Sequence, residues 1–259
     1  MNNPLGSSFG NFRGISQKNK EADEKCLIDG RSEFIPGGNP CQFPTKIFVI
    51  NRQEREDRWN KFRSVNESLF QKFEVVRWEA SSPGSGLKTV VDAIFDSFYR
   101  CIKSSPDECI IVMEDDAYLA EGGLEKIGKA WKDLPEDWDI LIGNHYFFGS
   151  MKIVSDHLAK PTDRASTINF SIIRKTIIPK IEENLHQRSV PSIRDFDHFV
   201  TSSTVPINNF TVWPMVSREV PSFSDNKQKN LDSVHKIREN AFKYLFVDQD
   251  QYYSSLEGW

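Results

Sequence analysis

The chain has no apolar run of about eighteen residues, so no membrane-crossing helix is expected. Residues 1–10 hold neither a basic start nor an apolar stretch. No secretory signal peptide is expected, and the protein is placed in the cytoplasm. Cysteine is scarce: Cys26, Cys41, Cys101 and Cys109 are the only four in 259 residues. None stands in a CxxC pair or beside a group of histidines. That argues against a zinc site or a dithiol redox pair and fits reduced thiols. An excess of positive charge is also missing. Lys and Arg total 33 against 37 Asp and Glu, a net charge of −4. Bulk charge therefore gives no general nucleic-acid or membrane binder. There is no GxxxxGK[ST] and no GxGxxG, and the GxSxG match at Gly6-Ser7-Ser8-Phe9-Gly10 lies in a stretch with no strand or helix period rather than on a strand-to-helix turn, so the P-loop, Rossmann dinucleotide and serine-hydrolase readings lack support. Internal repeats and low-complexity tracts are absent too.

What is there describes a globular protein. Hydrophobic residues make up 38% and charged residues 27%, and a chain of this length buries a core without disulfide or zinc staples. Four stretches organise it. Residues 1–45 form an irregular N-terminal arm, rich in Gly, Asn, Ser and Pro. It is either a leader or a strap that docks through Phe9, Phe12, Phe34 and Phe43. Residues 46–150 alternate apolar strand-like runs with helical periodicity. The strand candidates are Ile47–Ile50, Phe73–Trp78, Cys109–Met113 and Asp139–Ile142. The helix candidates span 54–70, 87–102 and 124–131. That rhythm predicts an α/β fold, a mostly parallel Rossmann-like sheet flanked by helices in a single domain. Residues 151–230 break the rhythm and read as an α+β half, with strands at 151–154, 167–173 and 211–216 and a helix at 175–187. Residues 231–259 read as a C-terminal helix, over 232–246, and a tail.

The most informative segment is Val112-Met113-Glu114-Asp115-Asp116. Three carboxylates follow directly on a buried strand. In a parallel sheet the carboxyl ends of the strands form the ligand-binding edge. Alternation along the strand sends Glu114 and Asp116 the same way. Three like charges repel, and a divalent cation relieves the repulsion. Oxygen-only donors suit Mn2+ or Mg2+, which can neutralise a diphosphate leaving group. The first strand ends at the same edge with Ile50, Asn51 and Arg52, followed by Arg55 and Arg58. Guanidinium groups there can hold phosphate or a base edge. Alternatively, Arg55 and Arg58 are the polar face of a helix, pairing with Glu54 and Asp57. Glu79, closing the second strand, joins this set.

Lys46–Ile50 with Asn51, Arg52, Arg55, Asp57, Arg58 and Trp59 resembles the opening of glycosyltransferase family 25, the lipopolysaccharide and collagen sugar transferases. Glu114-Asp115-Asp116 resembles that family's metal-binding acids. Asp137-Trp138-Asp139 through Gly143 resembles its Trp-Asp-apolar-Leu-Gly segment. Phe196-Asp197-His198-Phe199 and the pair formed by Val212–Arg218 with Ser224-Asp225 resemble its later elements. The order and spacing agree over 46–226. Departures exist: Arg52 stands where the family has Leu, no Ser-His follows Ser85-Gly86, and 151–195 does not match.

The resemblance implies a GT-A-like fold and a nucleotide-sugar donor, with a UDP-sugar expected. It also implies a manganese-like ion and transfer to an acceptor hydroxyl with inversion. The donor half would use Ile50, Asn51, Arg52, Arg55, Arg58, Glu79, Glu114 and Asp115; the ion would use Asp116, Glu114 and a histidine, His145, with His198 and His235 as rivals. Inversion needs a general base, for which Asp197 matches the family's late acid and Asp195 competes. The acceptor is a saccharide or other hydroxyl compound. An alternative acceptor is a polyanion such as hydroxymethylated DNA, steered by residues 151–194, where eight basic side chains face four acidic ones. A second alternative is a non-catalytic nucleotide-sugar-binding module on the same scaffold.

Overall fold

The computed structural model describes residues 38–84, 86–87, 89–144, 146–147, 151–161, 165–166, 168–186, 196–201, 205–220, 223–224 and 229–230. The expected helix at 232–246 and the first 37 residues lie outside them. In chain order the elements are β1 (Lys46–Asn51), α1 (Glu56–Val65), α2 (Glu67–Lys72), β2 (Glu74–Glu79), α3 (Val90–Ser104), β3 (Cys109–Glu114), β4 (Ala117–Leu119), α4 (Gly123–Asp133), β5 (Ile140–Ile142), β6 (Tyr146–Phe147), β7 (Met151–Ile153), β8 (Leu158–Pro161), β9 (Ala165–Ser166), β10 (Phe170–Arg174), α5 (Ile177–His186), α6 (Phe196–Thr201), β11 (Asn209–Val212), β12 (Ser217–Glu219), β13 (Phe223–Ser224) and β14 (Lys229–Asn230).

Eight strands form the central sheet in the order β2-β1-β3-β10-β5-β11-β8-β7. β1 is parallel to β2 and to β3, and β5 is parallel to β11. β10 is antiparallel to both β3 and β5, and β8 is antiparallel to β11 and β7. Only β10 and β8 therefore oppose the common direction. The protein is α/β with a mostly parallel sheet, as the alternating rhythm implies. The strand from late in the chain, β10, is wedged between β3 and β5.

Both faces of the sheet are covered. Alternate residues of a strand point to opposite faces, so Ile47, Val49, Ile111 and Met113 join one core with Phe62, Leu69, Ile127 and Trp138. Phe48, Ile110 and Val112 join the other, with Phe95, Phe98, Ile102, Ile181, Phe196 and Phe199. Burial on two faces is why Cys109–Met113 is a continuous apolar run rather than an alternating one.

Two of the departures from the expected helix bounds have a local cause in side-chain hydrogen bonds. The stretch read as one helix over 54–70 is two, parted at Asn66. That buried amide donates to the Phe62 carbonyl (3.2 Å) and across to the Ala117 carbonyl (2.8 Å), and its oxygen accepts from the Leu119 amide (3.0 Å). Local and tertiary bonds to one side chain compete with helix continuation. The helix expected from Leu87 begins at Val90. A capping box decides this: the Asp92 amide donates to Thr89 Oγ1 (3.1 Å) and the Thr89 amide to Asp92 Oδ2 (3.0 Å).

The described end of the arm is docked. Asn39 donates to the Trp131 carbonyl (3.1 Å) and accepts from the Trp138 indole (2.9 Å). Phe43 meets Trp131 edge-on, with ring centroids 5.3 Å apart. Of the four phenylalanines expected to dock, Phe43 does so, and Phe9, Phe12 and Phe34 fall outside the described residues. Cys41, Cys101 and Cys109 are free thiols. No described helix is long and apolar enough to cross a membrane.

Candidate functional site

The register of β2, β1 and β3 builds the site. Asn51 lies opposite Glu79, and Ile50 opposite Glu114, so the three strands end in a row. The Glu114 amide donates to the Asn169 carbonyl just before β10 (2.9 Å). That bond holds the strand end against the inserted strand. β3 stops at Glu114, and the chain turns through Asp115 and Asp116 into β4. Strand alternation therefore applies up to Glu114 and no further.

Asn51 organises the row. Its amide nitrogen donates to Asp115 Oδ2 (2.6 Å) and to the Arg55 carbonyl (3.3 Å), and its oxygen accepts from Arg77 Nε (2.7 Å). Arg77 extends the support, donating to Glu56 Oε2 (2.5 Å) and to the Gln53 carbonyl (3.0 Å). It lies over the Trp59 ring at 5.4 Å. The Arg52–Gln53 turn is thereby anchored from β2, and Glu79 Oε1 accepts the Gln53 amide as well (3.2 Å).

The three arginines do three things. Arg52 pairs with Glu54. Arg55 makes a two-pronged bond to Asp57 through Nε (2.9 Å) and Nη2 (2.8 Å), which holds the Asp57 carboxyl down at about 2. Arg55 precedes α1 as its N-cap residue and is near enough for its charge to help hold Asp115 down. Arg58 turns to the acidic strand end, where Nη2 contacts Asp115 Oδ1 and lies 2.7 Å from Asp116 Oδ2. Burial opposes the Arg58 charge, but Asp116, Asp115 and Glu114 outweigh it and raise its pKa. The Arg58 Nε and Asp116 Oδ1 atoms are buried with no hydrogen-bond partner.

The electrostatics are acid-rich. Burial first, then the charges of Asp116, Asp197, Glu219 and Asp115, push Glu114 well above the ordinary carboxylate range. Asp115 is raised by burial to about 6, with Arg58 and Asn51 pulling it down and Asp116 pushing it up. Asp197, in the first turn of α6, is thus brought near enough to act on Glu114 through its charge.

Glu219, which sequence reasoning missed, arrives through β12. That strand pairs with β4, Glu219 lying opposite Ala117, and the Val220 amide donates to the Asp116 carbonyl (2.6 Å). Arg77 was missed as well; an arginine inside Val75-Val76-Arg77-Trp78 was its only signal. Ile50, like Trp78 and Ile94, packs against the second core.

The donor set fits a hard divalent cation by chemistry. It is oxygen-only, it carries more negative than positive charge, and Asp116 has an oxygen to spare. Among the described residues no three His, Cys, Asp or Glu side chains already converge on one point. His145, the expected third ligand, lies outside the described residues, as do His235 and Asp195; the His198 side chain is not described either.

Several basic side chains of the 151–194 segment are engaged within the fold. Lys160 bonds Asn208 Oδ1 (2.6 Å), Arg174 pairs with Glu108 (3.0 Å), Lys175 reaches the Ser105 carbonyl, and Lys180 pairs with the buried Asp139 (2.5 Å). Arg164, Arg188 and Arg194 fall outside the described residues. The steering of a polyanion by this segment has no support among the described residues.

No family model matches the chain, and no characterised sequence does, so the likeness to glycosyltransferase family 25 rests on the motifs alone. Solved structures are similar in chain course. One is a glycosyltransferase involved in glycosylation of the major capsid of PBCV-1. It has a TM-score of 0.43 and 10% identity, over 74% of this chain and 98% of that one. A second is A197 from STIV, with a TM-score of 0.39 and 12% identity, over 72% and 92%. A third is the glycosyltransferase GlyE of Streptococcus pneumoniae TIGR4, with a TM-score of 0.39 and 6% identity, over 66% and 46%. All three likenesses are loose, and the residues of the site carry the reading.

Proposed function

We propose that the protein is a GT-A-like glycosyltransferase that moves a sugar from a nucleotide-sugar, a UDP-sugar in the first instance, to an acceptor hydroxyl with inversion. The observation that carries this is the acidic strand end. Glu114, Asp115 and Asp116 stand at the carboxyl edge of the parallel strands, held there by Asn51 and Arg58, with Asp197 close by. Glu79 closes β2 and supplies a carboxylate for the base or ribose, while Asn51, its side chain engaged by Asp115, Arg55 and Arg77, positions the row. Arg52 and Arg58 supply positive charge for the diphosphate. Asp116 and Glu114, with His145, would hold Mn2+ or Mg2+, which supplies charge neutralisation for the leaving diphosphate. Asp197 takes the proton from the acceptor hydroxyl as it attacks the anomeric carbon from the side opposite the diphosphate.

The test is a thermal-shift panel of nucleotide-sugars with and without Mn2+. A ligand that binds only the folded state raises the melting temperature. One nucleotide-sugar is expected to stabilise the wild type with Mn2+ and not Asp116→Ala. Asp197→Asn is expected to keep that shift and lose about 10²–10⁴-fold in transfer rate. No shift with any nucleotide-sugar under either condition would overturn the reading.

A further inference from the structure

Arg58 occupies an unusual place for a residue of a surface helix. It lies in the first turn of α1, yet its side chain is only 13% exposed and contacts two carboxylates that are 11% and 22% exposed. It does not use the two-pronged geometry that an arginine offers one carboxylate and that Arg55 gives Asp57. A single nitrogen, Nη2, bridges Asp115 Oδ1 and Asp116 Oδ2. That is the position of a small cation between two acids. Its Nε, by contrast, is buried with no hydrogen-bond partner, so the guanidinium is held by its tip. Asp116 likewise keeps one oxygen, Oδ1, without a hydrogen bond.

From this geometry we infer that Arg58 is an internal counter-ion set against the divalent cation: it holds Oδ2 of Asp116 and leaves Oδ1 for the ion, so that both would share one carboxylate. This rests on the metal-assisted reading above and deepens it. Two positive centres on one carboxylate repel each other, and in a site mostly shielded from water that repulsion is little screened. The consequence is a site that holds the ion weakly while empty of donor. A diphosphate, carrying negative charge, gives the guanidinium a further partner and lets both cations stay. Arg58 is thus a positioning residue for the ion, and it links ion retention to the presence of donor. By reciprocity the ion and the diphosphate each raise the affinity for the other.

The probe is Mn2+ alone, with free ion followed by electron paramagnetic resonance on the full chain. Wild type is compared with Arg58→Gln, Arg58→Lys, Asp116→Ala and Arg63→Gln. Arg63→Gln removes the same charge from the exposed end of the same helix. Arg58→Gln is expected to bind Mn2+ about tenfold more tightly than wild type, a difference worth about 1.4 kcal/mol. Arg63→Gln should match wild type, and Asp116→Ala should bind no Mn2+. If Arg58→Gln binds no more tightly than wild type while Asp116→Ala still loses the ion, the inference is overturned and the ion site stands. If neither wild type nor Arg58→Gln binds Mn2+, the metal reading itself falls, and this inference with it.

Arg58→Gln leaves buried carboxylates uncompensated and could unfold the protein. A second measurement on the wild type covers that case. The Arg58 Nε–Hε resonance, assigned by its loss in Arg58→Lys, is followed during Mg2+ titration. The resonance should shift as the ion saturates. No shift at saturation overturns the proposal.

Discussion

At the scale of the residue, Asn51 shows how one side chain can order a charged site. Its amide presents a donor to Asp115 and an acceptor to Arg77, and no charged side chain can do both jobs. Asn51→Asp keeps the acceptor and turns the donor into a second carboxylate facing Asp115. The variant is expected to lose about 2–4 kcal/mol of stability, because a buried hydrogen bond becomes an uncompensated like-charge contact. Urea unfolding at pH 7 measures it, and an unchanged midpoint would contradict the role. Asp57 gives a milder case with a defined sign. Its folded-state value of about 2 lies below the ordinary 3.8. The Arg55 bond therefore stabilises the fold above pH 3.8, and the gain disappears as pH falls towards 2. The pair is largely exposed on the Asp57 side, so Asp57→Asn should cost only about 0.5 kcal/mol at pH 7. The wild-type advantage should close in acid unfolding curves between those two pH values. What the sequence shows at this scale is local. Glu114-Asp115-Asp116 and Asn51 stand out because an apolar run ends in them. Arg77 and Glu219 do not, since their importance comes from strands that meet only in the folded chain.

At the scale of the element, chain reading works where periodicity is strong and fails where a partner decides. β1, β2, β3 and α3 are plain in the apolar pattern. The parting of α1 from α2 is not, because Asn66 bonds to β4, more than fifty residues further along. Nor is the insertion of β10 visible, since Ser171-Ile172-Ile173 has no feature that names its neighbours. The joint between β5, β10 and β12 is tight. Gly143 donates to the Phe170 carbonyl and accepts from the Val216 amide, each at 2.9 Å. A Cβ there would lie 2.5 Å from Ser217 Oγ and 2.9 Å from Phe170 Cδ1. Ser217 in turn contacts Asn144 (3.3 Å) and Asn169 (3.1 Å), and the Asn169 carbonyl holds the Glu114 amide. Gly143→Ala should therefore cost about 1–3 kcal/mol by overpacking. It should also weaken nucleotide-sugar binding, which separates it from a remote core defect. Thermal unfolding with and without ligand reads both effects.

At the scale of the whole molecule, the two stretches that the sequence separates at 150 share one sheet. β3 meets β1 on one side and β10 on the other, and β5 meets β10 and β11. The rhythm of 46–142 marks a layered α/β protein correctly, but it is silent on which strands lie side by side. A fragment of residues 38–150 would leave β3 with a bare, apolar edge and β5 with no strand on either side. Expressed alone, it is expected to self-associate and to lack a cooperative melting transition. Size-exclusion chromatography and circular dichroism would show this, and a monomeric fragment that melts sharply would contradict it. The wedged position of β10 also sets an order of events. A ribosome translating this chain finishes Glu114, Asp115 and Asp116 well before it makes Phe170, and until then the acidic strand end has no Asn169 carbonyl to hold it. Pairings between distant parts of a chain form slowly, so the residues on which the chemistry is proposed to depend are made early and assembled late. A chaperone holding the nascent chain would meet the acidic edge of the sheet in its unfinished form.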